Sequence, residues 1–312
     1  MNRSPLQITE NQLTSSGKGE MHHFELFPGI ECSHTQFFSK EIALEHEPLA
    51  NVLEINHCRK GSIGWDMRDG MSVYLGPGDL DIHTMDCCAV SAMSLPLGYY
   101  EGITIAIDIE RLERERIPFL SEAGIDMHAL LRKLCPDRKP LALPASEEIS
   151  HIFDPWYHVT DRLRVFHYKL KVLELILFLE ELVPVKEKRL GRYYSRQADL
   201  IKEIHQLITD DLQQRYTIEE LSRKYLVNTT TLKSVFKAVY GQPIGAYMKE
   251  YRIRRGMTLL RDTDKSIAEV ALQVGYESQG NFTEAFKTLV HLSPSEYRSK
   301  HQNEKTTDRG IL

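Results

Sequence analysis

The strongest constraint on this chain is an internal repeat. Thr217–Tyr247 (TIEELSRKYLVNTTTLKSVFKAVYGQPIGAY) and Ser266–Tyr297 (SIAEVALQVGYESQGNFTEAFKTLVHLSPSEY) align with one inserted residue. Ile218 and Leu221 recur as Ile267 and Val270, offset by 49 positions. Leu232, Phe236, Lys237 and Tyr247 recur as Phe282, Phe286, Lys287 and Tyr297, offset by 50. Each copy predicts a helix of about eight residues, a turn of three or four, and a second helix of about twelve, which is a helix-turn-helix layout. Thr217 with Glu220 and Ser266 with Glu269 form a capping box at the start of each copy, and Ser293 with Glu296 repeats it. Ser222 and Ala271 are small enough to let the second helix cross closely. Gly275 gives the second turn its conformational freedom, whereas the first copy has Leu226-Val227-Asn228 there, with Asn228 placed to cap the next helix.

Helical geometry then sorts each second helix into faces. Leu232, Val235, Phe236 and Val239 share an inner face in the first copy, and Phe282, Ala285, Phe286 and Leu289 in the second. Thr230, Lys233, Ser234 and Lys237 fall outside, as do Gln279, Gly280, Thr283, Glu284 and Lys287. Small polar and basic side chains on an exposed helix are what major-groove reading requires, and two such helices would enter successive grooves. Charge is distributed in the same sense. The chain carries a net charge of −5, yet residues 1–195 hold 21 Lys and Arg against 29 Asp and Glu, while residues 196–300 hold 16 against 13. The C-terminal third is therefore basic relative to the rest, which is compatible with phosphate contact, although many domains that bind no DNA reach the same balance.

The remainder predicts a different architecture. Up to about Ile109 the chain is β-rich: Asn51–Asn56, Ser62–Met67, Met71–Leu75 and Gly102–Ile109 alternate or are aromatic-rich, with Gly76-Pro77-Gly78-Asp79 as a tight turn. Gly102 is expected to kink its strand. Helical periodicity takes over at Ile109–Arg116, Ile125–Leu134 and Ser146–Tyr157, and is longest over Arg162–Val183 with Val165, Tyr168, Val172, Leu175, Ile176 and Leu179 in register. The expected fold class is α+β: an N-terminal β-barrel or sandwich-like domain with helices, and a C-terminal all-α domain with two helix-turn-helix units. Domains are expected at 1–185, at 197–300 and as a tail 301–312, with 186–196 as a basic linker that is solvated or touches DNA. No apolar run predicts a secretory signal or membrane span, and five cysteines without CxxC pairing suit reduced thiols in a cytoplasm.

Residues 197–298 resemble the DNA-binding domain of the AraC/XylS family of bacterial regulators. The resemblance is carried by TIEELSRKYLVNTTTLKSVFKAVYGQPIGAYMKEYRIRRGMTLL and SIAEVALQVGYESQGNFTEAFKTLVHLSPSEYR. The string NTTTLKSVFKAVYGQPIGAYMKEYRIRRG is similar to the subgroup containing the regulator of pyochelin uptake. The resemblance implies base contacts from Thr230, Lys233 and Ser234 and from Gln279, Gly280, Asn281 and Thr283. It implies phosphate contacts from Thr229, Lys237, Ser278 and Lys287. Two positions depart from the family pattern: Glu284 stands where many members carry Arg, and Gly280 offers no side chain to a base.

In that family the extra domain commonly senses a small molecule and dimerises, so double-stranded DNA, a small-molecule effector, a second copy of the chain and RNA polymerase are the expected partners. A cupin-type barrel is compatible with the strands, although the spaced His-x-His and Glu metal set is absent. Trp65, Tyr74, Tyr99, Tyr100 and Ile103 either line an apolar ligand pocket or fill the barrel core. His57, Cys58, His83, Cys87 and Cys88 either form a soft-metal cluster or are separate buried groups, and Cys135-Pro136 is a minimal haem-binding dipeptide that chance also produces. No metal, cofactor or catalytic residue is assigned. Arg162–Val183 either dimerises or packs on the barrel. No nucleophile–base pair, phosphate loop or regularly spaced cysteine set supports an enzyme, including an alkyl-transfer repair protein. A constitutive DNA-binding regulator whose N-terminal domain only dimerises stays open.

Overall fold

The computed structural model describes residues 18–43, 48–87, 92–183 and 190–308. The chain divides into two compact units, one built on Met1–Ala198 with Ala238–Gly241 and one on Asp199–Lys237 and Gln242–Leu312.

The first unit is a two-sheet β-structure with helices on one outer face. Its strands are β1 (Lys18–Phe27), β2 (Ile30–Phe38), β3 (Glu41–Ala43), β4 (Val52–Gly61), β5 (Ile63–Asp66), β6 (Met71–Leu75), β7 (Leu80–Thr84), β8 (Ala92–Ser94), β9 (Tyr100–Asp108), β10 (Leu141–Leu143) and β11 (Tyr193–Tyr194). One sheet runs β1-β2-β9-β4-β7-β10 and the other β11-β6-β5-β8-β3, with antiparallel pairing throughout. The helices are α1 (Ile109–Glu115), α2 (Pro118–Glu122), α3 (Met127–Leu134), α4 (Glu147–Phe153) and α5 (Arg164–Glu181). Asp108, Asp126 and Ser146 cap α1, α3 and α4 by accepting from backbone N–H groups.

Strand alternation builds the core. Cys32, Leu53, Ile55, Leu80, Ile82, Ile103, Ile105 and Ile107 face the helices and pack with Leu112, Phe153, Trp156, Tyr168, Val172 and Leu175. Each fully buried aliphatic side chain here contributes about 1.5–3 kcal/mol. The intervening residues of the same strands face the second sheet, where Phe37, Cys58, Tyr100 and Ala142 meet Ile63, Trp65, Val73, Leu75 and Met93.

Two expectations are corrected here, and a third is sharpened. Gly102 pairs with Thr35 and Cys58 beside a register shift between Cys58 and Lys60 of β4, and a Cβ there would lie 2.1 Å from the Tyr100 hydroxyl. Its role is clearance for Tyr100. The expected linker is partly built: Tyr193 and Tyr194 pair with Ser72 and Met71, Leu190 N donates to Ala142 O at 2.8 Å, and Arg192 meets Asp69 at 2.5 Å. A two-residue strand has no periodicity to betray it. Residues 186–189 of that segment, like Pro184, lie outside the described residues. Finally, α5 starts at Arg164 after a 3₁₀ turn at Asp161–Leu163, and Val165 is exposed rather than part of the buried stripe.

From Ser195 onward the regular elements among the described residues are all helices: α6 (Ser195–Asp210), α7 (Ile218–Lys224), α8 (Thr229–Tyr240), α9 (Ile244–Asp262), α10 (Ile267–Gln273), α11 (Gln279–Val290) and α12 (Pro294–Asp308). The fold is therefore α+β in the sense expected. No helix among the described residues is long and apolar enough to cross a membrane.

Candidate nucleic-acid interface

Each repeat folds as a short helix, a tight turn and a longer helix. Both capping boxes at Thr217/Glu220 and Ser266/Glu269 are closed in both directions, and Ser293/Glu296 closes at the start of α12. The N-cap of α8 is Asn228, whose Oδ1 accepts from Thr231 N at 2.7 Å, and that of α11 is Ser278, whose Oγ accepts from Asn281 N at 3.2 Å. At the turns Leu226 and Gly275 occupy equivalent positions and share positive φ, +51° and +81°.

The inner faces are duplicated in detail. Phe236 meets Tyr247 edge-on at 5.6 Å and 75°, and Phe286 meets Tyr297 at 5.5 Å and 71°. Leu232, Val235, Phe236 and Val239 are buried, as are Phe282, Ala285 and Phe286. Leu289 is not: it is 42% exposed, because the last turn of α11 runs beyond the packed core. Gly256 on α9 lies under Phe282, whose ring a Cβ would meet at 2.9 Å, so α11 seats closely on α9. That contact left no mark in the repeat.

Opposite these apolar faces lie the polar ones. Thr230, Lys233, Ser234 and Lys237 of α8 are exposed, with Thr229 partly so. Ser278, Gln279, Gly280, Asn281, Glu284 and Lys287 at α11 are exposed, with Thr283 partly so. Other basic groups serve the scaffold: Arg215 donates to Gly275 O, Arg252 to Leu212 O and Arg298 to Leu260 O. They hold turns and helix ends, which the sequence did not distinguish from DNA-facing cations.

In the first unit, the five expected pocket residues do not converge. Trp65 and Tyr100 face between the sheets. Ile103 lies on the opposite face of β9, in the helix-side core. Tyr74 pairs with Gly64, so it lies on the other face of the second sheet from Trp65, which pairs with Val73. Tyr99 precedes β9, rests on Phe38 at 4.9 Å and donates to Glu101 at 2.9 Å. The soft-metal set likewise splits. His57 stacks on Phe153 at 4.3 Å on the helix side, Cys58 faces the second sheet, and Cys88 lies outside the described residues. Burial lowers His57 to about 4 and pushes the Cys135 thiol up to about 12, so at neutral pH Cys135 stays protonated beside Ile82 O at 3.6 Å.

Between the sheets lies instead a polar belt that the sequence reading missed. Cross-strand register sets Ser33, Thr104, Asn56 and Asp81 in one row, and Glu31, Ala106, Glu54 and His83 in the next. Thr104 donates to Asn56 at 2.7 Å, Asn56 to Glu54 at 2.8 Å, and His83 Nδ1 pairs with Asp81 at 2.5 Å. Only the pairing register assembles these residues, and no single strand shows it.

Two helix-turn-helix units packed around a shared long helix define a double helix-turn-helix DNA-binding domain. A family model described as "Helix-turn-helix domain" matches residues 221–300. The chain is 30% identical over 110 residues to the HTH-type transcriptional activator AarP of Providencia stuartii, covering 34% of this chain and 82% of AarP. It is 25% identical over 126 residues to the HTH-type transcriptional activator RhaR of Mannheimia succiniciproducens, covering 40% of this chain and 45% of RhaR. Among solved structures, the DNA-binding domain of AdpA in complex with a target DNA is similar at 21% identity and a TM-score of 0.33, over 34% of this chain and 96% of that one. The chain thus spans less than half the length of RhaR, and its match to AarP covers about a third of this chain. It belongs to the AraC family of helix-turn-helix transcription regulators.

Proposed function

We propose that this chain is a one-component transcription regulator that binds double-stranded DNA through α8 and α11, dimerises through α5, and is controlled by a small molecule held in its N-terminal unit. The observation that carries the DNA reading is the pair of equivalent helices, each burying its apolar side and exposing a polar, partly basic one. In this reading Thr230, Lys233 and Ser234 read base edges and Thr229 and Lys237 grip phosphate on α8. On α11, Gln279, Asn281 and Thr283 meet bases, Gly280 lets the backbone approach, and Ser278 and Lys287 meet phosphate. With no side chain at Gly280 and a carboxylate at Glu284, α8 carries more of the specificity and α11 positions the domain. Domain limits of 1–185, 186–196 and 197–300 serve this division, with the linker ending in β11.

Dimerisation is supported by a second stripe on α5. Phe166 and Leu170 are 66% and 67% exposed, and Leu177 extends the same face. Exposed apolar rows of this kind mark interaction surfaces. RNA polymerase is the partner for a regulator seated at a promoter. Within the family, placement beside the pyochelin-uptake regulators rests on NTTTLKSVFKAVYGQPIGAYMKEYRIRRG alone.

Selection of bound duplexes from a random pool tests the proposal. The expected product is a bipartite motif whose halves lie about one helical turn apart. Enrichment of no motif would overturn it. A motif bound equally with and without every metabolite tried would leave a constitutive regulator in its place.

A further inference from the structure

The polar belt between the sheets carries an inference that rests on the sensor reading above and gives it a chemistry. Apolar clusters flank the belt, one holding Trp65 and Tyr100 and the other Val52, Met85 and Ala106. Between them, where a sandwich ordinarily packs aliphatic side chains, stand three buried carboxylates: Glu31, Glu54 and Asp81. Taking carboxylates out of water is costly unless opposite charge accompanies them. Within ion-pair reach among the described residues are two imidazoles: His23 lies 3.9 Å from Glu31, and His83 lies 3.7 Å from Glu54 and 2.5 Å from Asp81.

Three atoms of the belt are also unsatisfied. Asp81 Oδ1, Ser33 Oγ and the Tyr100 hydroxyl are buried and meet no hydrogen-bond partner among the described residues. Native interiors keep few such atoms, and those they keep call for an explanation. A carboxylate oxygen only accepts, so Asp81 calls for a donor; a serine or tyrosine hydroxyl serves either way. Trp65 faces His83 across the gap at 6.1 Å and offers an aromatic face to a cation. Thr104, on the central strand, keeps accessible surface. No group of three His, Cys, Asp or Glu among the described residues is arranged to hold a metal ion.

We propose that this belt binds a small organic cation, a molecule whose ammonium donates to Asp81 and Glu54 and whose polar substituent reaches Ser33 and Tyr100. Calorimetry and thermal shift on the full chain test it with putrescine and D-glucosamine against their neutral counterparts, 1,4-butanediol and D-glucose. At least one amine is expected to bind and raise Tm while its neutral counterpart does neither. Asp81→Asn should weaken that amine about tenfold or more, the factor of a hydrogen bond to a charged group. Tyr100→Phe and Ser33→Ala remove hydroxyls that meet no hydrogen-bond partner among the described residues. They should leave Tm unchanged or higher while weakening the amine. That combination separates a ligand contact from a structural one, and it keeps the test alive if Asp81→Asn fails to fold.

Equal response to amine and neutral counterpart would overturn the proposal. So would binding by none of the four, or a fall in Tm for both hydroxyl variants with amine affinity intact. DNA affinity, measured on a selected duplex, separates this from the sensor reading. Amine binding that leaves DNA affinity unchanged supports the site and sinks ligand control. A neutral effector that alters DNA affinity sinks the cation assignment alone.

Discussion

Leu226 holds a backbone conformation that L side chains adopt at a cost, with φ at +51° and its side chain 94% exposed. Its counterpart Gly275 takes the same turn without penalty. Leu226→Gly is therefore expected to stabilise the protein by about 1 kcal/mol, since it relieves strain and removes no packing. Gly275→Ala should destabilise it by more, because a Cβ there would lie 1.9 Å from Leu212 O. Urea unfolding of the two variants checks both signs. On the exposed face of α8, Lys233→Ala should relax base preference, whereas Lys237→Ala should weaken all duplexes about equally. A gel-shift panel in which the two variants behave alike removes that division. His57 supplies a pH signature. Its folded pKa is held down to about 4 by burial, so it resists a proton that the unfolded chain accepts near 6.5. Its contribution is intact above about pH 6.5 and is lost as pH falls toward 4. His57→Phe should flatten the dependence of Tm on pH across that window.

At the scale of elements, legibility followed period. The second helices of the repeat, the capping boxes and β6 were visible in the sequence because apolar spacing and cap residues are local signals. The polar belt was not, because Ser33, Thr104, Asn56 and Asp81 come from four strands and meet only through register. The apolar pocket expectation failed for a related reason: Tyr100 and Ile103 differ by an odd number of positions on one strand and so face opposite cores. The surplus of apolar positions on α5 was visible in the sequence, but not that Phe166 and Leu170 form the outer stripe, because the helix is apolar on more than one side. Phe166→Glu with Leu170→Glu should convert a dimer to monomer in sedimentation equilibrium at unchanged Tm, as those side chains are mostly exposed. A fall in Tm with no change of mass would assign them to folding instead.

For the whole molecule, the helical third declared itself residue by residue and the β-rich unit only as a class of fold, since a duplicated motif constrains a sequence far more than a sheet with irregular strand lengths. The central helix α9 holds 19 residues, on the order of 28 Å at 1.5 Å per residue. That length is comparable to the advance between successive major grooves. Hydroxyl-radical footprinting is expected to show two protected patches on one face of the duplex, and a single patch would mean that only one helix engages. The matched Phe236–Tyr247 and Phe286–Tyr297 contacts have a consequence for how such a protein changes over generations. Each reading helix is anchored to the helix after it by its own aromatic clasp. Altering the letters one head prefers therefore leaves the other head's footing intact, and the two halves of a target site are free to drift independently.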